Sequence, residues 1–245
     1  MINFILFLAV VLVTNVIQGI TGFAGTILAM PFGLMLVGYE VAKPILNVLG
    51  IVAGVYVFLG NRKSVNWKEL RKIVLVMACG ILGGIAVKGL FAGKEQLLYI
   101  LLGVFVIALS IQGLLGQLRK KEQTQKPENP AASNLLLVSA GIVHGIFVSG
   151  GPLLIGYLTK KIQDKVEFRA TISTVWIFLN SMIMVDDMRA GLWTGSLAVQ
   201  LLITLPFFFA GMYIGGKLVK KMSQQLFMQI TYVLLFVSGL VLLFK

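Results

Sequence analysis

Acidic residues, cysteine and histidine are all scarce in this sequence. Nine Asp and Glu stand against 21 Lys and Arg, so the formal net charge is +12, and the 245 residues include one cysteine and one histidine. Only 12% of the residues are charged and 58% are hydrophobic, whereas about a quarter of the residues of a soluble domain are charged. The composition excludes a soluble globular domain and predicts an all-α polytopic membrane protein.

The scarcity of cysteine and histidine also excludes several kinds of chemistry. Cys79 has no partner for an internal disulfide, and the sequence has no metal-ligand cluster, so we expect neither a metal site nor a cofactor. Ser149-Gly150 is similar to the nucleophile of intramembrane serine proteases, which need a histidine on another helix. His144 lies only five residues upstream on the same segment. The pair Asp186-Asp187 is adjacent, in an expected solvated outer loop, rather than on two facing helices. We therefore predict no catalytic residues and no enzyme activity.

The first long apolar segment is interrupted near its middle. Residues 2–37 contain no charge and number 36, whereas a membrane-spanning helix needs about 20 residues. The stretch Gln18–Thr26 contains three glycines, two threonines and one glutamine. Glycines free the backbone, whose amides then need partners inside the membrane. The pattern predicts two short helices that meet at a glycine-rich tip within the membrane.

A second apolar segment, residues 135–158, repeats this arrangement. Its polar and glycine-rich middle is His144–Pro152, and Pro152 suits the first turn of a following helix because no backbone donor is lost there. Paired interrupted segments in the two halves of a chain indicate the binding site of a transporter.

The two halves of the sequence align at an offset of 126 residues, which drifts to 129 later in the chain, at Gln96 and Gln225. Several glycine, basic and tryptophan pairs lie 126 residues apart: Gln18 and His144, Gly19 and Gly145, Gly25 and Gly151, Lys43 and Arg169, and Trp67 and Trp193. We predict a first transmembrane repeat at 1–118, a cytoplasmic linker at 119–133 and a second repeat at 134–245. Each repeat has an interrupted helix hairpin followed by three transmembrane helices.

The distribution of basic residues predicts that the repeats are inverted. With inverted halves, the cytoplasmic loops 61–72, 119–133, 159–169 and 217–223 contain 16 of the 21 Lys and Arg. With parallel halves, 11 of the Lys and Arg would lie on the cytoplasmic side and 10 on the outer side. The positive-inside rule favours the first arrangement, with both termini outside. The same distribution explains the net charge without nucleic acid, which we exclude as a partner.

Stretches in both halves of the sequence resemble motifs of the TauE/SafE family of membrane transporters. The three stretches of the second half, Val143–Gly145, Ser149–Pro152 and Phe168–Thr171, resemble its second-half motif. In the first half, Gly19–Gly25 followed by Pro31 and the Pro44–Asn47 helix start resembles its first-half motif. The resemblance covers essentially the whole chain, although Ala24 stands where many members have glycine. It implies an exporter or permease for sulfite or small organosulfur anions such as sulfoacetate.

The two tips are the candidate substrate site. A dehydrated anion needs replacement donors, and free amides at a helix N-terminus supply them together with the helix dipole. The predicted substrate-binding residues are Gln18, Thr21, Gly22, Phe23, Gly25, Thr26, His144, Ser149, Gly150, Gly151 and Pro152. The alternative is that these glycines only allow close helix packing.

Four further polar residues are candidates for a gate or path. Lys43 and Arg169 begin equivalent helices, where they attract anions at the two entrances or extend to lipid phosphates. Asn47 and Asn180 line the path or form hydrogen bonds between helices. His144 carries a coupling proton, because histidine titrates near neutral pH, or is a neutral core residue.

The sequence thus predicts a multi-pass protein of the cell (inner) membrane that transports a small anion near the bilayer midplane. A passive anion channel and a transporter of small organic acids are the alternatives. The expected partners are the anion, membrane lipid and a second copy of the chain in a homodimer, with a proton or sodium as coupling ion. The sequence leaves the direction of transport open.

Overall fold

The computed structural model describes residues 2–87, 100, 103–104, 106–108, 110–111, 113–115, 130–147 and 150–243. All regular secondary structure in these ranges is helical. The predicted span 97–118 is described only in part, and its described residues are helical.

The first half begins with a helical hairpin. Its described helices are α1 (Ile2–Thr21), α2 (Ala24–Val37), α3 (Tyr39–Asn61) and, after a short 3-10 turn, α4 (Trp67–Val87). The chain is interrupted at Gly22 and Phe23, inside the predicted stretch, and we call these two residues the first break. With 20 residues, α1 is about 30 Å long and long enough to span a membrane alone. The prediction of two short helices was therefore wrong for α1 and holds only for α2, which has 14 residues.

The second half has the same order of elements. Its described helices are α5 (Pro130–Phe147), α6 (Gly151–Lys161), α7 (Lys165–Arg189), α8 (Gly195–Lys221) and α9 (Gln224–Leu243). We call the connection between α5 and α6 the second break; of its residues 148–150, only Gly150 is described, and it is not helical. Because α5 begins at Pro130, the last four residues of the predicted linker are helical, and the rest of the linker lies outside the described residues.

Five of the described helical segments are long and apolar enough to cross a membrane. They are Ile2–Thr21, Tyr39–Ser64, Lys165–Arg189, Gly195–Lys221 and Gln224–Val241. The predicted all-α polytopic membrane class is confirmed.

By contacts the chain divides into two compact units. Unit 1 comprises the residues up to Leu70 together with Val166–Ser223, and unit 2 comprises Arg71–Lys165 with the residues from Gln224 onward. Each unit therefore combines helices from both halves of the sequence. The predicted repeats, 1–118 and 134–245, are segments of the sequence, whereas the two units are groups of helices in contact and have different boundaries. The division of the chain into two repeats therefore stays a prediction.

In unit 1 the most extensive helix contact is between α1 and α8. A Cβ atom on Gly215 would lie 2.8 Å from the Cα of Gly19, and one on Gly19 would lie 3.0 Å from the Cα of Gly215. The two backbones are thus in direct contact, as small residues allow in membrane helices. Next to this contact, Phe7 and Phe208 are fully buried in the apolar core of the unit.

Unit 2 contains an equivalent contact between α4 and α5. A Cβ atom on Gly80 would lie 2.9 Å from the Cα of Gly141, and one on Gly84 would lie 3.2 Å from the Cα of Ile142. Ile142 is 126 residues after Val16, which Gly215 contacts in unit 1. In each unit, the first helix of a hairpin packs on the fourth helix of the other half.

Helices α3 and α7 in unit 1 run antiparallel. Lys43 contacts Asp187, Asn47 contacts Asn180, and a Cβ atom on Gly54 would lie 2.5 Å from the carbonyl oxygen of Ser173. At the 126-residue offset, Asn47 corresponds to Ser173 and Gly54 corresponds to Asn180. The contact between Asn47 and Asn180 is therefore equivalent to the contact between Ser173 and Gly54. Reciprocal contacts of this kind are the mark of a two-fold relation. Inverted repeats, whose equivalent helices run in opposite directions, stay a prediction.

Candidate functional site

The first break is a buried turn built on one unusual backbone conformation. Gly22 has φ +84°, which favours glycine, and its amide donates to the carbonyl of Gln18 at 2.7 Å. The next side chain, Phe23, is 3% exposed and packs edge-on against Phe168 at a centroid distance of 6.4 Å. The turn therefore reverses the chain inside unit 1 rather than at its surface.

Two side chains of α1 cap the start of α2. The Oγ1 of Thr21 accepts from the amides of Phe23 and Ala24 at 3.4 and 3.3 Å. The Oε1 of Gln18 accepts from the amide of Gly25 at 2.7 Å. Phe23 and Gly25 are among the residues predicted to bind the anion, and here their amides are satisfied by the protein. An anion at these amides would have to displace Thr21 or Gln18.

The N-terminal turns of α7 hold the first break in place. The Nε of Arg169 donates to the carbonyl of Gly19 at 2.8 Å, and the Oγ of Ser173 donates to the carbonyl of Gly22 at 3.3 Å. Arg169 is only 8% exposed and Ser173 is fully buried. Arg169, predicted at an entrance or extended to lipid, thus lies against the predicted tip. Ser173 was missed by the sequence analysis, although it lies four residues after Arg169 and so on the same helix face.

The guanidinium of Arg169 is not neutralised within the described part of the chain. The ion pair that occurs in those ranges joins Lys43 and Asp187. Glu167, the acidic residue nearest to Arg169 in sequence, accepts from the Nδ2 of Asn66 at 2.8 Å. Two residues apart on a helix, Glu167 and Arg169 do not face each other. The first break therefore has a buried positive charge beside it.

The other end of the α3–α7 pair has a neutralised cation. The Nζ of Lys43 lies 2.5 Å from the Oδ1 of Asp187, and the two side chains are 9% and 0% exposed. Asp187 belongs to α7, so the expectation of a solvated outer loop was wrong for this residue. The antiparallel crossing explains the difference, because it brings the end of α7 against the start of α3.

Between these two cations, further polar groups follow the α3–α7 contact. The Nδ2 of Asn47 donates to the carbonyl of Asn180 at 3.0 Å. Its Oδ1 is buried, and within the described residues it has no hydrogen-bond partner. The Oγ1 of Thr26 lies 3.5 Å from the carbonyl of Leu46. These separate polar contacts lie alongside the part of α7 between Asp187 and Arg169, which are 18 residues, or about 27 Å, apart on that helix.

The second break belongs to unit 2. Helix α6 begins at Gly151 with Pro152 in its first turn, as predicted. Gly150, Gly151 and Pro152 are buried, and His144 is 3% exposed. A Cβ atom on Gly150 would lie 2.7 Å from that of His144, so the hairpin folds back tightly on α5. Ser149 lies outside the described residues. A site shared by the two breaks stays a prediction.

Within the described ranges, no group of three or more His, Cys, Asp or Glu is placed to hold a metal ion. The candidate site at the first break is therefore made of a backbone turn, the side chains of Gln18, Thr21 and Ser173, and the buried guanidinium of Arg169.

Comparison with known proteins identifies the family. The sequence profile of the sulfite exporter TauE/SafE family matches residues 6–242. A probable inner membrane transporter protein, TsaS of Comamonas testosteroni, is 25% identical over 181 residues, which cover 74% of this chain and 73% of the relative. No solved structure matches the chain. These findings confirm the predictions of a multi-pass inner membrane protein and of a protein that is not an enzyme. The chain belongs to the sulfite exporter TauE/SafE family of membrane transporters.

Proposed function

We propose that this protein is a secondary transporter of a small anion, sulfite or an organosulfur anion, which binds at the two helix breaks. The observation that carries the proposal is the first break, a buried polar turn in an apolar protein with Arg169 held against it. Membership of the TauE/SafE family supports the choice of anion.

The physical case rests on the cost of dehydrating an anion. Buried polar and charged groups are costly unless they are paired, so an ion leaving water needs donors and an opposite charge. Discontinuous helices place such groups inside the membrane-spanning part of many transporters. The first break provides Arg169, and the second break provides the start of α6 at Gly151.

The depth of the first break refines the proposal. Its hydrogen-bond partners on α7 are the fifth and ninth residues of that 25-residue helix, Arg169 and Ser173. At 1.5 Å per residue, this part of α7 lies about 6 to 12 Å from the start of a helix about 37 Å long. We therefore place the anion at the first break nearer to one end of α7 than to its middle.

The proposal also includes a coupling ion, a path for the anion, the surrounding lipid and a second copy of the chain. A proton or sodium is the coupling ion where transport runs against the membrane potential, and His144 is the candidate proton carrier. Lys43, Asn47 and Asn180 are the candidate path on the far side of the first break. Lipid surrounds the protein, and a homodimer is its proposed assembly.

A thermal-shift screen of purified protein tests the ligand class. The anions are sulfite, sulfate, thiosulfate, sulfoacetate and a set of organic acids, each at the same ionic strength. We expect sulfite or an organosulfur anion to raise the unfolding midpoint. A rise with organic acids alone would favour the organic-acid alternative, and no rise with any anion would contradict the proposal.

A further inference from the structure

We infer that Arg169 is the residue that neutralises the transported anion, through the two terminal nitrogens that its contact with Gly19 leaves available. The inference deepens the proposed function and rests on it. It assigns the charge of the site to one side chain and defines the ligand as an oxyanion with two oxygens on one central atom.

The first argument is the asymmetry between two equivalent cations. Lys43 and Arg169 correspond at the 126-residue offset, and at the same offset Asp187 corresponds to Asn61. Lys43 has Asp187 as its counter-ion, whereas the position that would neutralise Arg169 holds a neutral amide. The side chain of Asn61 donates to the carbonyl of Val57 at 3.0 Å. One cation of the pair is thus compensated by the protein, and the other is not.

The second argument is the burial of Arg169. The residue is 92% removed from solvent, since its exposed fraction is 8%. A charge in such a place is costly unless it is paired. In the described part of the chain no carboxylate forms an ion pair with it. A mobile anion that enters the first break would supply the missing counter-charge, and the cost of the empty site would favour its entry.

The third argument is the donor geometry of the guanidinium. Arginine has five N–H donors in a planar fork. The Nε donor bonds to the carbonyl of Gly19, which fixes the plane of the group against the first break. Four donors remain on Nη1 and Nη2, and within the described residues no hydrogen bond from them occurs. A pair of oxygens on sulfur, carbon or phosphorus fits this edge bidentately, whereas chloride offers a single centre.

A free small anion and a lipid headgroup phosphate share this chemistry. The small exposed fraction of Arg169 favours the free anion, because a headgroup brings its glycerol and acyl chains with it. The two sources are distinguished by adding either sulfite and sulfoacetate or short-chain phosphatidylglycerol to the purified protein.

The test is the anion-induced shift of the unfolding midpoint in the full-length protein and three variants. They are Arg169→Gln, which removes the charge, Arg169→Lys, which keeps the charge without the fork, and Arg62→Gln. Arg62 is an exposed arginine after α3 and serves as the matched control. Sodium chloride at equal ionic strength is the reference for every protein.

We expect sulfite or sulfoacetate to shift the wild type and Arg62→Gln equally. Loss of a charged hydrogen-bonding group should weaken binding by at least about tenfold in Arg169→Gln, which removes the shift. Arg169→Lys should show a smaller shift than the wild type and keep the inference testable if Arg169→Gln does not fold.

Three results would overturn the inference. An undiminished sulfite or sulfoacetate shift in Arg169→Gln or Arg169→Lys would contradict it while leaving the proposed function intact. An Arg169-dependent shift with phosphatidylglycerol alone would assign the guanidinium to lipid. A wild type that responds to no oxyanion would contradict the proposed function and the inference together.

Discussion

At the scale of single residues, five buried polar residues at the first break and on α3 fall into two kinds. Gln18, Thr21 and Ser173 have their hydrogen-bonding groups engaged by the backbone of the first break. Arg169 has a charge that no carboxylate among the described residues pairs with, and Asn47 has a buried Oδ1 with no hydrogen-bond partner among them. The first kind maintains the shape of the break, and the second kind contains the groups that we propose for a ligand.

The buried ion pair gives the first prediction. Asp187→Asn leaves Lys43 charged and buried without its counter-ion, which should destabilise the protein by about 3–5 kcal/mol. The unfolding midpoint in detergent measures this loss. The double variant Lys43→Met with Asp187→Leu should recover most of it, because no charge is left buried. Asp186→Asn is the matched control, and an equal loss there would contradict the assignment to the ion pair.

The turn at Gly22 gives the second prediction. Alanine at φ +84° is strained by about 1–2 kcal/mol, and its Cβ would lie 2.5 Å from the Oγ of Ser173. Gly22→Ala should therefore lower the unfolding midpoint more than Gly191→Ala, where φ is +72° and nothing lies within 4 Å of the added atom. Equal losses in the two variants would show that only backbone strain matters at the first break.

At the scale of helices, glycine pairs decide which faces meet. In α8, Gly215 lies against α1, whereas a Cβ atom added to its neighbour Gly216 would have nothing within 4 Å. In α4, Gly84 likewise lies against α5, and a Cβ atom added to its neighbour Gly83 would have nothing within 4 Å. One glycine of each pair is thus a packing residue. Close helix packing accounts for Gly19 and Gly145, whereas Gly22 combines close packing against α7 with a left-handed backbone conformation.

These pairs give the third prediction. Gly215→Ala should destabilise the protein by about 1–3 kcal/mol, since the backbones of α1 and α8 must separate. Gly216→Ala should be neutral or stabilising by up to about 1 kcal/mol, because alanine favours the helix. Unfolding midpoints of the two variants provide the comparison, and the pair Gly84→Ala and Gly83→Ala repeats it in unit 2. A larger loss for Gly216→Ala would be incompatible with this packing.

At the scale of the whole molecule, the sequence predicted local features better than packing partners. The two breaks were predictable because glycine and polar residues stand out in apolar runs, as at Gln18–Thr26. The ion pair between Lys43 and Asp187, which are 144 residues apart, was not predictable from the sequence, because it depends on the crossing of α3 and α7. Periodicity and charge indicate where a helix begins, but not which helix of the other half it meets.

The predicted inversion of the two repeats gives the fourth prediction, which concerns topology. In a Cys79→Ser background, cysteines replace Lys63 and Ala190, both exposed. A membrane-impermeant maleimide should label Ala190→Cys on intact cells and Lys63→Cys only after the membrane is opened. Labelling of both positions from the same side would contradict the inverted repeats.

The central claim is that this protein carries a small anion through a binding site rather than conducting it passively. Counterflow of radiolabelled sulfite in proteoliposomes tests this most directly. Vesicles loaded with unlabelled sulfite should transiently accumulate label above its equilibrium level, because a carrier exchanges its ligand between the two sides. Label that only equilibrates, with no transient accumulation and no saturation, would contradict the claim and indicate a channel.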